Sequence, residues 1–423
     1  MPVERLWVTS LPHRFQQTMW RGRMYMPDAL VSQVVLDDDR LLSVEAQYVS
    51  EGFARRLRCV ERRLTDGRVT REWVLPWDVP EGHETCRLVR IAGRWYVGHR
   101  RWEDAPTPDG ILTPWPGPAE TNVPRDLVRA NLLPDEMARD LDAGGFGTDG
   151  LRLVVANITT VRTPSDARRW LVAAAVDIAQ PRAVWAARVP VPFRVERHRG
   201  GVRVGRFGPV VIVRSATIMP AGQQRCRELI AAFDPDTGRA LWSRPGPPRR
   251  QPPAFDLVGD GRNIYVHAED TTIEAWQLLT GRTVRRWDLG RPVVADAVID
   301  GEDLVTFVGD DYPAPGSPGM VQPVTVPIGT PGEPRFLRGE ARAVCAPSFT
   351  VQNRWVVCAL DDRLIAWSLS GEGQAMAWTC WTLPGGLVPQ DAAGEAFRLN
   401  GSHVAIYTRG TGTLTVFRTA TGM

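Results

Sequence analysis

A hairpin signature that recurs along the chain constrains the fold more than any other feature. Residues 231–243 read AAFDPDTGRALWS, in which an apolar run leads to a turn on Asp234 and Gly238 and then to Trp242. Asp accepts hydrogen bonds from backbone amides two or three residues further on, and Gly adopts the left-handed conformation that closes a short hairpin. The segment therefore predicts two antiparallel strands, with the indole of Trp242 covering the gap to a neighbouring sheet.

The same pattern returns downstream in residues 272–287, where Gly281 closes the turn and Trp287 lies on the returning strand. Looser copies occupy residues 58–73, 171–185 and 363–381. Successive units end roughly 45–50 residues apart, which is the period of a four-stranded propeller blade. Because one such sheet cannot bury both of its faces, the units must stack on one another.

The two termini of the chain supply parts of one unit. The last unit, residues 395–423, stops at a turn and lacks its returning strand. Residues 4–8 read ERLWV and match RALWS of residues 239–243, so that Trp7 corresponds to Trp242. We therefore expect the N-terminal strand to complete the last blade.

These units predict an all-β fold, a β-propeller of four-stranded antiparallel blades. The spacing between Pro76 and Arg188 leaves room for two degenerate units, which gives eight blades, with seven as the alternative. We expect a single propeller domain over residues 1–423, with a Pro-rich and short helical insertion at residues 106–144.

The pattern D-x-x-T-G-[KR]-x-L-W in residues 234–242 resembles the PQQ-like repeat of quinoprotein alcohol dehydrogenases and outer-membrane-assembly lipoproteins. The resemblance implies an eight-bladed propeller. It also implies, for the dehydrogenases, a calcium site, a catalytic Asp and commonly an adjacent Cys pair over the quinone. This sequence has no adjacent Cys pair. We therefore take the repeat as evidence for the architecture and expect neither a quinone nor another cofactor.

Charge and composition narrow the classes of partner. The 51 basic and 48 acidic residues give a net charge of +3, which argues against a nucleic-acid or membrane partner. Every basic residue is Arg, so a lysine Schiff base and a P-loop lysine are excluded. The codon usage of a bacterial genome rich in G and C explains this lysine-free composition more simply than avoidance of lysine modification.

The amino-terminal residues and the cysteines predict a cytoplasmic location. Residues 1–20 lack a basic start followed by an apolar core, and no apolar run approaches the ~20 residues that span a membrane. The six cysteines are scattered and none forms a C-x-x-C pair, so we expect reduced thiols.

Two motifs resemble ligand sites without their required context. Residues 145–150 spell G-x-G-x-x-G, but a predicted helix precedes them and a strand follows, the reverse of the dinucleotide-binding order. We interpret the motif as a helix stop and linker. His83 and Cys86 lie three apart, which is too little to predict a metal site.

Residues 54–64, ARRLRCVERRL, concentrate five arginines, and two interpretations are open: a phosphate-binding strip or a solvated blade edge. We favour the edge, because alternation along a strand divides side chains between two faces. Charges at an edge also discourage strand-to-strand aggregation. The arginines are Arg55, Arg56, Arg58, Arg62 and Arg63, and the nearby acidic residues are Glu51, Glu61 and Asp66.

Long loops on a rigid scaffold often carry binding sites. Three segments rich in Pro or Gly lack the strand-and-turn pattern of the blades: residues 106–144, 244–253 and 312–334. We predict that they bind a protein partner, with simple loop packing as the alternative. The residues we select are Trp115, Met137, Arg249, Arg250 and Tyr312.

The sequence contains a propeller repeat and no compact catalytic motif. It therefore favours a non-catalytic protein-interaction scaffold or recognition subunit of a bacterial cytoplasmic assembly. The alternative is an enzyme (hydrolase, lyase or oxidoreductase) or a small-ligand sensor with its site in the central funnel of the propeller. Residues from separate blades meet in such a funnel and leave no local motif.

Overall fold

Strands are the only regular elements in the described part of the chain, which is taken from a computed structural model. The structure describes residues 3–10, 18–20, 23–25, 31–48, 54–80, 86–99, 110–115, 123–124, 145–163, 166–179, 182–193, 197–198, 202–215, 218–219, 226–249, 256–310, 319–343, 347–352, 354–360, 363–369, 381–382, 394–400, 403–408 and 413–419. The chain divides into two units, Met1–Thr85 with Arg291–Met423 and, separately, Cys86–Gly290. Strands are numbered in chain order.

The first unit, Met1–Thr85 with Arg291–Met423, contains four antiparallel sheets and one small hairpin. Blade 1 is β4 (Val31–Asp37), β5 (Arg40–Tyr48), β6 (Ala54–Arg63) and β7 (Val69–Pro80). Blade 6 is β26 (Val298–Asp300), β27 (Asp303–Gly309), β28 (Gly319–Pro327) and β29 (Arg335–Phe336), with β30 (Ala341–Ala343) also paired to β28. Blade 7 is β31 (Ser348–Gln352), β32 (Trp355–Leu360), β33 (Arg363–Ser368) and β34 (Trp381–Thr382). Blade 8 is β35 (Gly394–Asn400), β36 (His403–Thr408), β37 (Thr413–Thr419) and β1 (Val3–Ser10). The hairpin is β2 (Thr18–Trp20) and β3 (Arg23–Tyr25).

The second unit, Cys86–Gly290, contains four more antiparallel sheets and a two-stranded ribbon. Blade 2 is β8 (Cys86–Ile91), β9 (Arg94–His99), β10 (Gly110–Pro114) and β11 (Val123–Pro124). Blade 3 is β12 (Gly145–Thr148), β13 (Leu153–Thr163), β14 (Asp166–Asp177) and β15 (Arg182–Pro190). Blade 4 is β17 (Val202–Phe207), β18 (Val210–Ser215), β20 (Leu229–Phe233) and β21 (Ala240–Pro245), and the ribbon is β16 (Arg197–His198) and β19 (Ile218–Met219). Blade 5 is β22 (Val258–Gly259), β23 (Asn263–Glu269), β24 (Thr272–Gln277) and β25 (Thr283–Asp288).

The N-terminal strand completes the last blade, as the sequence predicts. Strand β1 pairs antiparallel with β37, from Val3 opposite Thr419 to Ser10 opposite Thr413, and the sheet order is β1-β37-β36-β35. With this pairing the fold is an eight-bladed β-propeller, and the alternative of seven blades is wrong. The single domain over residues 1–423 stays a prediction.

The insertion expected at residues 106–144 contributes to blade 2. Its described residues form β10 and β11, which extend the sheet begun by β8 and β9. The helical part predicted within residues 106–144 lies outside the described residues.

Alternating side chains along the middle strands fill the core between blades. In β20, Leu229, Ala231 and Phe233 pack in one apolar cluster with residues of blade 3. The intervening Ile230 and Ala232 pack in another cluster with residues of blade 5. A strand points successive side chains to opposite faces, so a strand buried on both faces is apolar at every position. This is why the LIAAF of β20 reads as a continuous apolar run.

Tryptophans on the outer strands clasp the turn of the following blade. A Cβ on Gly281 would lie 2.7 Å from the Trp242 ring, and a Cβ on Gly238 would lie 2.6 Å from the Trp185 ring. The indole Nε1 of Trp242 donates a hydrogen bond to the carbonyl of Leu278 at 2.7 Å. The predicted cover of the gap by Trp242 is therefore confirmed, and the turn glycine is what admits the ring.

Trp7 repeats this clasp in the first unit. Its ring lies 2.6 Å from the position a Cβ would take on Gly67, and its Nε1 donates to the carbonyl of Leu64 at 2.7 Å. In all three clasps the glycine has a positive φ, between 65° and 71°. The correspondence between Trp7 and Trp242 seen in the sequence thus reflects equivalent positions in two blades.

The turn on Asp234 forms as predicted, and Trp287 lies on its predicted strand. The Asp234 carboxylate accepts hydrogen bonds from the amides of Asp236 at 3.0 Å and Thr237 at 2.8 Å. The Thr237 amide is the main reason why the pKa of Asp234 is lowered. Trp287 is buried on β25 beneath the guanidinium of Arg285.

The interpretation of residues 145–150 as a helix stop and linker is wrong. Residues Gly145–Thr148 form β12, the first strand of blade 3. A Cβ on Gly145 would collide with the carbonyl oxygen of Val202, and one on Gly147 would collide with that of Val204. These glycines are needed because β12 and β17 approach closely, a constraint that local sequence does not display.

Candidate functional site

Blade 4 has short connections at one end and long connections at the other. Residues 208–209 join β17 to β18, and residues 234–239 join β20 to β21, at what we call the turn end. Residues 216–228 join β18 to β20, and residues 246–257 lead from β21 to β22, at the loop end. Long connections on a rigid scaffold commonly carry binding residues, so the loop end is the candidate site.

The β20–β21 hairpin continues beyond its strands at the loop end. The amide of Gly246 donates to the carbonyl of Glu228 at 2.8 Å. Cys226 and Arg249 then exchange two backbone hydrogen bonds, of 2.7 and 3.0 Å. This extension fixes the backbone of the Pro-rich connector as far as Arg249.

Three charged side chains meet at this end of the blade. The Nε of Arg214 lies 2.5 Å from Oε2 of Glu228, and Nη2 of Arg249 lies 3.2 Å from Oε1 of the same carboxylate. The Nη1 of Arg249 donates to the backbone carbonyl of His267. Cys226 and His267 adjoin these groups, and we call Arg214, Cys226, Glu228, Arg249 and His267 the loop-end cluster.

The loop-end cluster is buried. Glu228 is 0% exposed, Arg249 2%, His267 4%, Cys226 5% and Arg214 7%. Charges in such surroundings interact far more strongly than at a surface, and their desolvation is costly.

Burial and the neighbouring arginines act in opposite directions on Glu228. Burial by itself raises the pKa of Glu228, but the charges of Arg214 and Arg249 outweigh it, so the pKa lies below its ordinary value. Burial is also the main reason why the pKa of Arg249 is lowered, and the attraction of Glu228 opposes that change. The carboxylate is therefore ionised between two guanidinium groups.

His267 and Cys226 are uncharged at neutral pH. Burial, followed by the charge of Arg249, lowers the pKa of His267 to about 4. Its Nε2 lies 3.1 Å from the carbonyl of Asp270, which fits a neutral ring that donates from Nε2. Burial raises the pKa of the Cys226 thiol, and the charge of Arg249 only partly offsets this.

Of the predicted partner-binding residues, two are described, and both are buried rather than exposed. Arg249 belongs to the loop-end cluster. Trp115 is 5% exposed and follows β10 at the turn end of blade 2, where its amide donates to the carbonyl of Trp95 at 2.8 Å. Met137, Arg250 and Tyr312 lie outside the described residues. Partner binding by this set stays a prediction.

The arginines of β6 take part in ion pairs within blade 1. Arg62 is 2% exposed and pairs with Glu45, a residue 17 positions earlier, and its Nη1 also lies 3.0 Å from Oγ of Ser43. Arg58 lies 2.9 Å from the same carboxylate. Arg63 is exposed and faces Asp66 at 3.5 Å, in agreement with a solvated edge. Arg62 departs from that expectation, because pairing with Glu45 across β5 and β6 draws it inward.

The sequence interpretation missed Arg214, Glu228 and His267. A signal was present, because Arg214 interrupts the apolar run VVIVRS and Glu228 directly precedes LIAAF. A charge beside a fully buried strand needs a partner. Which partner it has depends on how the strands pair, and this is not visible in either segment alone.

Among the residues that the structure describes, no three His, Cys, Asp or Glu side chains come together as metal ligands. No helix in the described ranges is long and apolar enough to cross a membrane.

Comparisons with known proteins identify the fold. No protein-family profile and no curated protein matches the sequence. Among solved structures, BamB from Moraxella catarrhalis is similar, with a TM-score of 0.50, 13% identity, and coverage of 99% of this chain and 100% of that chain. The Dos1 propeller has a TM-score of 0.53 and 10% identity, covering 98% and 95% of the two chains. The quinohemoprotein alcohol dehydrogenase from Comamonas testosteroni has a TM-score of 0.50 and 10% identity, covering 98% of this chain and 76% of that chain.

These neighbours include a quinohemoprotein alcohol dehydrogenase, so the resemblance to PQQ-like repeat propellers is confirmed at the level of the fold. At identities of 10–13%, the similarity to these structures shows a shared fold only.

Proposed function

We propose that the protein is a non-catalytic scaffold that binds a protein partner through the loop ends of its blades. The observation that carries this proposal is the asymmetry of blade 4. Its turn end has connections of two and six residues, whereas its loop end has connections of 13 and 12 residues, spanning 216–228 and 246–257. Long connections on a rigid scaffold are the common place for recognition.

The turn ends supply the rigidity that such a scaffold needs. Trp185 and Trp242 each seat their rings on the turn glycine of the next blade in the second unit. In the same unit, Nη1 of Arg152 donates to the carbonyl of Pro235 at 2.6 Å, which ties blade 3 to blade 4. Because a rigid platform is already ordered, less conformational entropy is lost when a partner binds to it.

We further propose that the scaffold works in a bacterial cytoplasmic assembly. The six cysteines of the sequence are scattered and none forms a C-x-x-C pair, which supports a reducing compartment. The near balance of charge in the sequence supports a protein partner over a nucleic acid.

Co-purification from the native host, read by mass spectrometry, tests this proposal. Met137→Ala, Arg250→Ala and Tyr312→Ala change residues of the segments that the sequence predicts as loops. Leu279→Ser changes an exposed residue at the turn end of blade 5. Each variant is first shown to melt like the wild type. We expect the loop variants to lose a shared set of partners and Leu279→Ser to keep it. Retention of every partner by all three loop variants would overturn the proposal.

A further inference from the structure

We propose that the loop end of blades 3 and 4 binds an acidic segment of a protein partner, whose carboxylates are held by Arg169 and Arg227. This inference rests on the proposed scaffold function and names the chemistry of the partner. We call Arg169, Val191, Phe193 and Arg227 the blade 3–4 surface.

The blade 3–4 surface is assembled from three pieces of backbone in the second unit. Arg169 lies near the start of β14, and its carbonyl accepts a hydrogen bond at 2.9 Å from the amide of Val191, just after β15. Phe193 follows two residues later, and the guanidinium of Arg227, just before β20, lies 5.9 Å from the centre of its ring. The two arginines therefore flank one short apolar stretch, residues 191–193.

Both arginines are directed toward the space between blades 3 and 4. On β14, Leu171 belongs to the apolar cluster between these blades, and Arg169 occupies the same face of the strand two residues earlier. Arg227 likewise precedes Leu229 of that cluster by two residues, and its contact with Phe193 places it on the blade 3 side. Both side chains are half-buried.

Arg169 and Arg227 have no acidic partner among the described residues. Neither guanidinium takes part in an ion pair or hydrogen bond with a residue in those ranges, and the Nε of Arg227 is buried with no acceptor. A buried donor without an acceptor is costly, and native structures seldom keep one. A carboxylate fits a guanidinium because two of its N–H groups donate in parallel to the two oxygens.

The connections at this loop end concentrate positive charge. Residues 191–201 and 216–228 together contain five arginines and two acidic residues, Glu196 and Glu228. Their net charge of +3 equals that of the whole chain, so the remainder of the protein is balanced. Glu228 is moreover already paired with Arg214 inside blade 4. Charge complementarity therefore favours an acidic partner at this end of the second unit.

The aromatic ring favours an acidic protein segment over a nucleic acid. Single-stranded nucleic acids are held by bases that stack on exposed aromatic faces. The ring of Phe193 is instead stacked within the protein, because Arg227 lies over it and the ring packs on the apolar cluster between the blades. Val191 and Phe193 suit apolar side chains that alternate with the acidic ones of an extended peptide.

Fluorescence anisotropy on the purified full-length protein tests the proposal. The probes are a fluorescein-labelled octapeptide of alternating Glu and Leu, the same peptide with Gln in place of Glu, and a labelled oligothymidine of similar length. We expect saturable binding of the Glu peptide alone, weakened by added sodium chloride because salt screens charge. Arg169→Gln combined with Arg227→Gln should lower its affinity about tenfold or more.

The matched control removes two arginines from the turn ends. Arg239→Gln combined with Arg262→Gln changes exposed residues of blades 4 and 5 and the net charge by the same amount. This variant should bind the Glu peptide like the wild type. If the double variant at the blade 3–4 surface does not melt like the wild type, Arg227→Met replaces it. The thioether side chain keeps the apolar contact with Phe193, and the affinity should still fall about threefold.

Three outcomes would overturn the proposal: no binding of the Glu peptide by the wild type, equal binding of the Gln peptide, or tighter binding of oligothymidine. Unchanged affinity in the arginine variants would also overturn it, because the peptide would then bind elsewhere. The scaffold function is judged separately by co-purification. Partners lost by the loop variants, together with no peptide binding, would retain the scaffold and reject only the acidic partner.

Discussion

The indole of Trp242 lies against Gly281 so closely that a Cβ on the glycine would be 2.7 Å from the ring. Its Nε1 reaches the carbonyl of Leu278, three residues before that glycine. Trp7 makes the same two contacts with Gly67 and Leu64, and Leu64 lies 57 residues after Trp7 in the sequence. One local sequence pattern, a turn glycine and an outer-strand Trp, therefore produces contacts between separate blades.

Gly281→Ala should destabilise the protein more than Gly261→Ala. Both glycines have positive φ, 65° and 86°, so both substitutions incur the left-handed penalty of about 1 kcal/mol. Only at Gly281 does the new methyl group collide with a ring, whereas no atom lies within 4 Å of a Cβ on Gly261. Overpacking should add about 1–3 kcal/mol at Gly281, measured by urea unfolding. Equal losses for the two variants would show that the clasp yields without cost.

Trp7→Phe should lower stability more than Trp287→Phe. Both rings are buried, at 8% and 5% exposure. Trp7 donates to the carbonyl of Leu64, whereas the Nε1 of Trp287 has no hydrogen-bond partner. Replacement of Trp7 therefore leaves a carbonyl without its partner, which typically costs about 1–3 kcal/mol, and replacement of Trp287 does not. The comparison is made by chemical denaturation, and a larger loss at Trp287 would contradict the assigned role of the indole N–H.

Deletion of residues 1–10 should lower the melting temperature sharply and reduce solubility. The deletion removes β1, so the edge of β37 loses its paired strand and the buried Trp7 is lost as well. Loss of a buried Trp alone typically costs about 3–5 kcal/mol. Differential scanning calorimetry and sedimentation measure the two effects. Unchanged melting would mean that β1 contributes nothing to the stability of blade 8.

Folding stability should fall as the pH drops from about 6.5 towards 4, in part because of His267. Burial lowers the pKa of His267 to about 4 in the folded chain, so between these values the unfolded state binds more protons. The neutral ring contributes its full stability above about pH 6.5, and this is lost progressively below it. Between pH 7 and 4.5 the wild type should lose on the order of 2–3 kcal/mol more than His267→Gln does, measured by urea unfolding. Parallel pH profiles for the two proteins would contradict this prediction.

Glu45→Gln should cost far more stability than Asp66→Asn. Glu45 is 1% exposed and faces Arg62, so its neutralisation leaves a buried cation without a counter-charge. Breaking a buried pair in this way typically costs about 3–5 kcal/mol. Arg63 and Asp66 are exposed, and such a surface pair contributes at most about 1 kcal/mol. Similar midpoints of denaturation for the two variants would restore the interpretation of the whole strip as a solvated edge.

Features that depend on neighbouring residues could be predicted from the sequence. The Asp234 turn was predictable because its hydrogen bonds span only two or three residues. The repeat made eight blades and the pairing of β1 with β37 predictable, since Trp7 and Trp242 occupy the same place in the pattern. The alternation within β20 likewise follows from the geometry of a single strand.

Other features were decided only when the blades came together. Gly145 is required because β12 meets β17, and Arg62 is buried because β5 brings Glu45 beside it. Arg249 reads as one more charge in a basic, Pro-rich connector, yet the extended β20–β21 hairpin turns it onto Glu228. Local hydrogen bonding and periodicity determine strands, turns and their repetition, and these are properties of the sequence by itself. Whether a charged side chain is solvated or buried depends on which residues, distant in the chain, pack around it, so only the tertiary structure decides it.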